Sequence, residues 1–162
     1  MLSEKMQQVL NKQINAEWYS AYLYQSMEGW FLGKSLKGFA HWMQAQAGEE
    51  RGHGQKFFDY INDRNGTVEL TGIGGPPTQW KSAQDAFAAV YEHEQKVTAM
   101  IWSLVDLAKK ENDYATLEML QWFVKEQVEE EANALELLEK LKAIKDAVPG
   151  LFMLDAVVGQ RK

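Results

Sequence analysis

The chain contains no cysteine among its 162 residues. This absence excludes a disulfide framework, a thiolate zinc or iron–sulfur site, and a cysteine nucleophile. Proline occurs only three times, and the many Leu, Glu, Lys, Gln and Ala residues favour helix over sheet. A chain of this length is expected to form one domain with a core large enough to need no covalent link.

Positive charge and long apolar runs are also scarce. Seventeen Lys and Arg residues against 23 Asp and Glu residues give a formal net charge of −6. A nucleic-acid-binding protein normally carries a basic face, so no nucleic acid partner is expected. No run of 18 apolar residues occurs, so no membrane partner is expected either. The first residues lack the apolar stretch of a signal peptide, which makes the cytoplasm the expected location.

Chain-breaking residues divide the sequence into helical segments. Glycine and proline concentrate between Asn65 and Pro77, and shorter breaks lie at 33–35, at 111–113 and at Pro149. These breaks predict four long helices and one short helix, at about 4–32, 36–64, 82–110, 114–142 and 147–157. Serines near the starts of the first three segments are candidate N-caps: Ser3, Ser35 and Ser82.

The spacing of apolar residues predicts how these helices pack. In each long segment they recur at alternating steps of three and four, as in Val97, Ile101, Leu104 and Ala108. This spacing is typical of helices in an antiparallel bundle, and no alternating strand pattern competes with it. The fold class is therefore predicted to be all-α, a four-helix bundle.

The break at 65–81 is long for a loop in a compact domain, and the geometry of the bundle can explain its length. A helix of 29 residues is about 43 Å long, and a 17-residue segment reaches at most about 56–60 Å. The segment can therefore run the length of the bundle and make the second and third helices parallel. The prediction is a bundle with one long crossover between these two helices.

Charged and polar residues interrupt every apolar seam near its middle. They are Glu17, Glu50, His53, Glu94, Gln127 and Glu130. Antiparallel packing would bring them to one height in a core whose seams carry no Lys or Arg. An unpaired buried carboxylate costs several kcal/mol or becomes protonated, so shared protons, water or bound cations must balance this cluster.

Spacing favours cations over the alternative of a hydrated polar layer. Glu50 and His53 are three residues apart on one helix, so both side chains point to the same side. A Glu-x-x-His pair with glutamates from other helices is the ligand pattern of di-iron and di-manganese sites in bundles. Carboxylate oxygens with one imidazole suit iron or manganese.

At this point the sequence resembles the non-haem ferritins of prokaryotes over nearly its whole length. The stretches that carry the resemblance are Asn15–Tyr24 (NAEWYSAYLY), Glu49–His53 (EERGH), Tyr91–Glu94 (YEHE) and Leu120–Glu131 (LQWFVKEQVEEE). The resemblance implies a single ferritin-like domain over 1–162, with the tail at 147–157 forming a short fifth helix. The alternative for the tail is a segment folded onto its own bundle.

The resemblance also implies a di-iron ferroxidase centre. The first iron would be held by Glu17, Glu50 and His53. The second would be held by Glu50, Glu94 and Glu130, with Glu50 bridging the two. No haem is expected, because bacterioferritins place a haem-ligating Met where this chain has Gly52, and they carry a second Glu-x-x-His on the last long helix.

A third iron site is implied beside the pair. In prokaryotic ferritins the residues matching Glu49, Glu126 and Glu129 bind a further iron, and Glu130 would link this site to the centre. The alternative is a solvated acidic face, since these residues are also typical of a helix surface.

Three neighbours of the centre follow from the same resemblance. Gln127 would sit beside the iron pair as a hydrogen-bonding partner. Tyr24 and Trp122 match aromatic residues that would supply electrons during oxygen reduction, the alternative being ordinary packing.

Three glycines crowd the ligand turn of the second helix: Gly48, Gly52 and Gly54. Glycine is unfavourable inside a helix, so we expect these residues to make room for aromatic side chains or for moving iron. Alanine at Gly52 or Gly54 should then stabilise the helix but slow iron turnover.

The implied function is iron storage with ferroxidase activity, with ferric mineral deposited inside a homo-oligomeric cage of 24 subunits. The substrates would be Fe(II) and either dioxygen or peroxide. Two alternatives stay open from the residues themselves. One is a di-metal oxidase or peroxidase that forms no cage, and the other is a bundle that binds metal without redox chemistry.

Overall fold

The computed structural model describes residues 1–145 and 147–162. These residues form five helices and no strand: α1 (Glu4–Gly33), α2 (Lys37–Asp63), α3 (Ala83–Glu111), α4 (Tyr114–Ile144) and α5 (Val148–Val158). The predicted all-α class, with four long helices and a short fifth one, is confirmed. No helix in the described part of the chain is long and apolar enough to cross a membrane.

The topology is two helix hairpins joined by a long connection. α1 packs along α2, and α3 packs along α4, with α1 also contacting α3. Short turns close both hairpins, whereas the segment between Asp63 and Ala83 joins them. α5 contacts α2 and α4 of its own chain.

Helix caps explain where the helices begin, with one correction. Ser3 and Ser82 are N-caps, and each hydroxyl accepts from the backbone N–H three residues on, at 2.9 and 3.1 Å. The prediction that Ser35 caps α2 is wrong. The tight turn needs one residue in the left-handed region, and Ser35 takes it with φ 60°. Leu36 therefore occupies the N-cap position, and its side chain cannot accept a hydrogen bond.

α5 provides the acceptor that the start of α2 lacks. The carboxylate of Asp155 accepts a hydrogen bond from the Phe39 N–H at 2.9 Å. Gly38 allows this contact, because a Cβ at that position would lie 1.7 Å from the Asp155 carbonyl oxygen. A distant residue thus caps α2 and fixes the C-terminal helix on the bundle.

Polar residues on α1 hold the long crossover in place. Asn11 donates to the Thr67 carbonyl at 2.9 Å and accepts from the Glu69 N–H at 2.7 Å. One turn further along, Asn15 donates to the Thr71 hydroxyl at 2.9 Å. Side chains of α1 therefore satisfy some of the backbone groups of the crossover and hold it against the bundle.

The apolar core is divided into two clusters by a polar layer. One cluster includes Phe31, Phe39 and Phe87, and the other includes Phe57 and Phe123. Between them lie the buried polar residues of the four helices: Glu17, Glu50, His53, Glu94, Gln127 and Glu130. The interruptions in the four seams thus meet inside the bundle.

The glycines of α2 differ in their surroundings, which corrects the expectation for Gly54. A Cβ at Gly54 would lie 2.2 Å from the indole nitrogen of Trp18, which donates to the Arg51 carbonyl at 3.3 Å. Alanine at this position overpacks the helix contact instead of stabilising α2. Gly52 has no neighbour within 4 Å of such a Cβ, so alanine fits there.

The Gly52→Ala and Gly54→Ala variants form a matched pair. Gly52→Ala should raise the free energy of unfolding by up to about 1 kcal/mol, because alanine is the better helix former. Gly54→Ala should lower it by about 1–3 kcal/mol, the usual cost of overpacking. Thermal unfolding followed by circular dichroism at matched concentration measures both, and equal midpoints for the two variants would contradict the assignment.

Asp155→Ala should destabilise the protein by about 0.5–2 kcal/mol, because it removes the acceptor that caps α2. Asp155→Asn is the control, since its amide oxygen still accepts from Phe39. Denaturant titration at constant subunit concentration checks the order, which should be wild type, then Asn, then Ala. An alanine variant as stable as the wild type would show that this cap contributes nothing.

Candidate metal centre

Each long helix sends at least one carboxylate into the polar layer. α1 contributes Glu17, α2 contributes Glu50, α3 contributes Glu94 and α4 contributes Glu130. Their exposed fractions are 1, 2, 1 and 5 %, and His53 on α2 is 4 % exposed. No Lys or Arg is buried in the described part of the chain. The centre is therefore strongly acidic and shielded from solvent.

The donor atoms of these residues converge into overlapping groups. Glu17, Glu50 and His53 bring one ligand atom each within 4.8 Å of one another. Glu50, Glu94 and Glu130 form a second group of the same size. Glu50 belongs to both groups, so its carboxylate lies between two places that suit a cation.

Glu17 carries an unsatisfied atom, which tests whether a cation fits. Its Oε1 accepts from the Gln13 side chain at 2.7 Å. Its Oε2 is buried and has no hydrogen-bond partner among the described residues. A buried carboxylate oxygen left in this way is costly, and a metal ion bound to it would remove the cost. The oxygen-rich donor set with one imidazole is suited to iron or manganese.

Glu94 is held by two polar neighbours. The Tyr24 hydroxyl donates to Glu94 Oε1. The Gln127 amide lies 3.2 Å from Glu94 Oε2 and 3.1 Å from the Thr98 hydroxyl. Tyr24 and Gln127 thus contact a carboxylate of the centre, the position expected for both residues.

Glu130 and His53 connect the centre to its surroundings. Glu130 Oε2 accepts from the Gln46 side chain at 2.5 Å. His53 Nδ1 lies 3.0 Å from Glu50 Oε2, and its Nε2 lies 3.7 Å from Glu126. His53, Glu126 and Glu130 form a third group of donor atoms within 4.8 Å.

Only part of the expected third iron site is assembled. Glu126 joins the third donor group, whereas Glu129 is exposed. Glu49 forms an ion pair with Arg161 at 2.6 Å and belongs to none of the donor groups found among the described residues. The acidic face next to the centre is therefore partly neutralised by the C-terminal segment.

Trp122 lies at the edge of the centre. Its ring centroid is 5.4 Å from that of His53, and Lys56 Nζ lies 4.4 Å above the ring. Because 40 % of its side chain is exposed, Trp122 is a partly solvated neighbour of a candidate ligand.

Burial raises the pKa of all four central carboxyls, and repulsion from another central carboxylate adds to this for Glu17, Glu50 and Glu130. For Glu17 the main cause is burial, followed by the charge of Glu50. Burial also dominates for Glu50 and Glu94, and it raises the pKa of Glu130 to about 8, with help from the charge of Glu94. The metal-free centre therefore takes up protons, which divalent cations would displace.

Three residues that hydrogen-bond within the polar layer were not predicted from the sequence. Gln13 and Gln46 each lie four residues before a central glutamate, and Thr98 lies four residues after one. This spacing was a usable signal, because residues four apart on a helix are neighbours. Arg161 gave no comparable signal, since only tertiary folding brings it near α2.

The raised pKa values predict that the metal-free protein loses stability as pH rises. A carboxyl whose folded pKa is raised stabilises the fold fully below its unfolded value of 4.5, and for Glu130 this contribution disappears through about 8. As the pH rises from about 5 to about 8, the thermal midpoint of the metal-free protein should therefore decrease, and it should decrease less in Glu130→Gln. Zn(II), used as a redox-inert probe, should raise the thermal midpoint more near the upper end of this pH range than near the lower end, because fewer protons then compete for the carboxylates. Equal slopes for both proteins would contradict the assignment.

Comparison with known proteins identifies the family of this chain. The family model for a ferritin-like domain matches residues 7–144. The chain is 44 % identical to a bacterial non-heme ferritin of Bacteroides fragilis over 161 residues, 99 % of this chain and 100 % of the relative. It is 40 % identical to that of Campylobacter jejuni, covering 98 % of this chain and 95 % of the relative.

A solved structure is similar over the same extent. The open pore ferritin from the hyperthermophilic archaeon Archaeoglobus fulgidus superposes with a TM-score of 0.99 at 49 % identity, covering 100 % of both chains. The family match, the full-length relatives and the fold all agree, and they confirm the resemblance to prokaryotic non-haem ferritins. The chain belongs to the ferritin family.

Proposed function

We propose that this protein stores iron and oxidises Fe(II) to Fe(III) at the carboxylate centre inside each bundle. One observation carries the proposal: four carboxylates and an imidazole converge in a shielded core, and one carboxylate oxygen, Glu17 Oε2, has no partner among the described residues. Membership of a family whose relatives are named ferritins supports iron as the substrate.

The overlapping donor groups support a specific division of roles. Glu17 and His53 would bind the first Fe(II), and Glu94 and Glu130 would bind the second. Glu50 would bridge the two ions, because its carboxylate belongs to both donor groups. Two ions held by one bridging carboxylate lie close enough to react with the same oxidant molecule.

The chemistry supplied by iron is the loss of one electron from each Fe(II) to dioxygen or peroxide. The protein contributes charge and position. Its carboxylates favour Fe(III) over Fe(II), because the higher charge gains more from anionic ligands in a shielded site. Tyr24 would donate its hydrogen bond to Glu94 and keep that ligand oriented. We propose Gln127 for the same task on the other oxygen of Glu94.

Glu126 supports a third iron site near the pair, with Glu49 and Glu129 as its expected partners. Glu126 and Glu130 lie in one donor group with His53, so an ion bound there would neighbour the centre. Glu49 would have to leave Arg161 to join this site.

Storage requires a cavity, and we propose a cage of 24 copies. A single chain exposes large apolar side chains on several surfaces, which include Trp102 and Tyr114 at 60 and 75 %, and Met153 of α5 at 72 %. Such exposure is typical of surfaces that become buried in an assembly. Native mass spectrometry should therefore find 24 chains of 18.5 kDa each. A dimer would favour the alternative of a di-metal oxidase without a cage.

The test of the reaction is Fe(II) loading without oxygen, followed by air and recording of ferric absorbance. Glu50→Ala should slow the fast phase more than about 100-fold, since groups that merely orient a metal ligand already contribute about 10–100-fold. Glu118→Ala, an exposed glutamate of α4, is the matched control and should oxidise iron like the wild type.

Two outcomes would overturn the assignment. Fast oxidation in Glu50→Ala would remove the bridging role of that residue. A wild-type protein that binds Fe(II) but forms no ferric species in air would leave only the alternative of metal binding without redox chemistry.

A further inference from the structure

The C-terminal segment returns from α5 to the side of the metal centre. The Arg161 guanidinium forms the ion pair with Glu49 at 2.6 Å and donates to Gln46 Oε1 at 2.9 Å. It also lies 4.8 Å from the centroid of the Trp42 ring. Arg161 is thus held by three residues of α2, which are spaced at four and three positions on one face of the helix.

Gln46 lies between Arg161 and Glu130. Its side chain is 1 % exposed, and its Nε2 donates to Glu130 Oε2 at 2.5 Å. An arginine can only donate hydrogen bonds, and a Glu130 carboxylate that is ionised to bind a cation can only accept them. The amide of Gln46 therefore has one orientation that satisfies both neighbours, with its oxygen toward Arg161 and its nitrogen toward Glu130.

We propose that Arg161 is a positioning residue for the metal centre, which acts through Gln46 to fix the orientation of the Glu130 carboxylate. The inference rests on the proposed function in one respect, that Glu130 binds metal. It adds that Arg161, which follows α5 and has no contact with any ligand of the di-iron pair, sets the geometry of one of them.

The physical reason is preorganisation. A carboxylate held in one orientation loses less conformational freedom when it binds a cation, so the cation binds more tightly. Without Arg161, the Gln46 oxygen loses its hydrogen-bond donor. The amide is then no longer held in the orientation that directs its nitrogen to Glu130. The position of Arg161 depends in turn on α5, which Asp155 fixes at the start of α2.

The test uses Co(II) as the probe, added to the metal-free assembled protein under argon. Co(II) reports on the centre in two ways, as calorimetric affinity and as visible absorption bands that depend on ligand geometry. Neither readout needs iron oxidation. The series comprises the wild type, Arg161→Ala, Arg161→Lys, Gln46→Met and the double variant Arg161→Ala with Gln46→Met. Lys162→Ala is the matched control, because it removes one positive charge from the adjacent, exposed position.

Arg161→Ala should raise the dissociation constant of one Co(II) by about two- to tenfold, as expected for the loss of one typical hydrogen bond. Its visible bands should shift with the altered geometry of Glu130. Arg161→Lys should recover part of the affinity, and Lys162→Ala should match the wild type. In the Gln46→Met background, Arg161→Ala should have no further effect, since the two residues act in one chain of contacts.

A second background separates the two contacts of Arg161. Arg161→Ala also releases Glu49, which can itself bind a cation. If Arg161 acts through Gln46, its effect persists in Glu49→Gln. Disappearance of the effect in that background, additive losses with Gln46→Met, or wild-type affinity and spectrum in Arg161→Ala would each overturn the inference.

The proposed function is tested separately in the same titration. Glu50→Ala should lose tight Co(II) binding. If Glu50→Ala instead binds like the wild type, the assigned metal centre is wrong whatever Arg161 does. If Glu50→Ala loses binding while Arg161→Ala keeps it, the centre stands and only the role of Arg161 fails.

Discussion

The structure depends on one electrostatic constraint, which is the burial of four carboxylates at one height of a helical bundle. Glu17, Glu50, Glu94 and Glu130 are each at most 5 % exposed, and no buried Lys or Arg within the described residues balances them. Isolated anions in such a place are too costly to persist. Protons balance them in the metal-free protein, and cations do so in the proposed function. A bound cation would remove the free-energy cost of burying these carboxylates, so the same burial raises the affinity of the core for metal.

The rest of the bundle accommodates this layer without using it for stability. Two apolar clusters, one on each side, supply the packing that holds the four helices together. Side-chain amides then orient the carboxylates from positions four residues away on a seam or from a facing helix, as Gln13, Gln46 and Gln127 do. Because neutral amides donate hydrogen bonds without cancelling charge, they orient the carboxylates and leave the negative potential available to a cation.

The C-terminal helix contributes to both fold and site. Asp155 caps α2 at its start, and Arg161 reaches the same helix near its ligand turn. In the sequence this short segment looks like a simple apolar tail. In the structure it contacts α2 twice, first at Phe39 near the start of the helix and again at Gln46 and Glu49, just before Glu50. Through Gln46, the C-terminal segment is also linked to the Glu130 carboxylate.

The sequence by itself determined the helical class, the crossover and the candidate ligands. Periodicity along one helix is a local property, and the acids that break each apolar seam are visible without coordinates. Tertiary structure decided what local pattern cannot encode. It placed Ser35 in the left-handed turn, so that a residue of α5 caps α2, and it filled the space beside Gly54 with the Trp18 indole. It also brought Arg161 to Glu49 and Gln46, because contacts between residues over a hundred positions apart depend on how helices dock and not on their spacing.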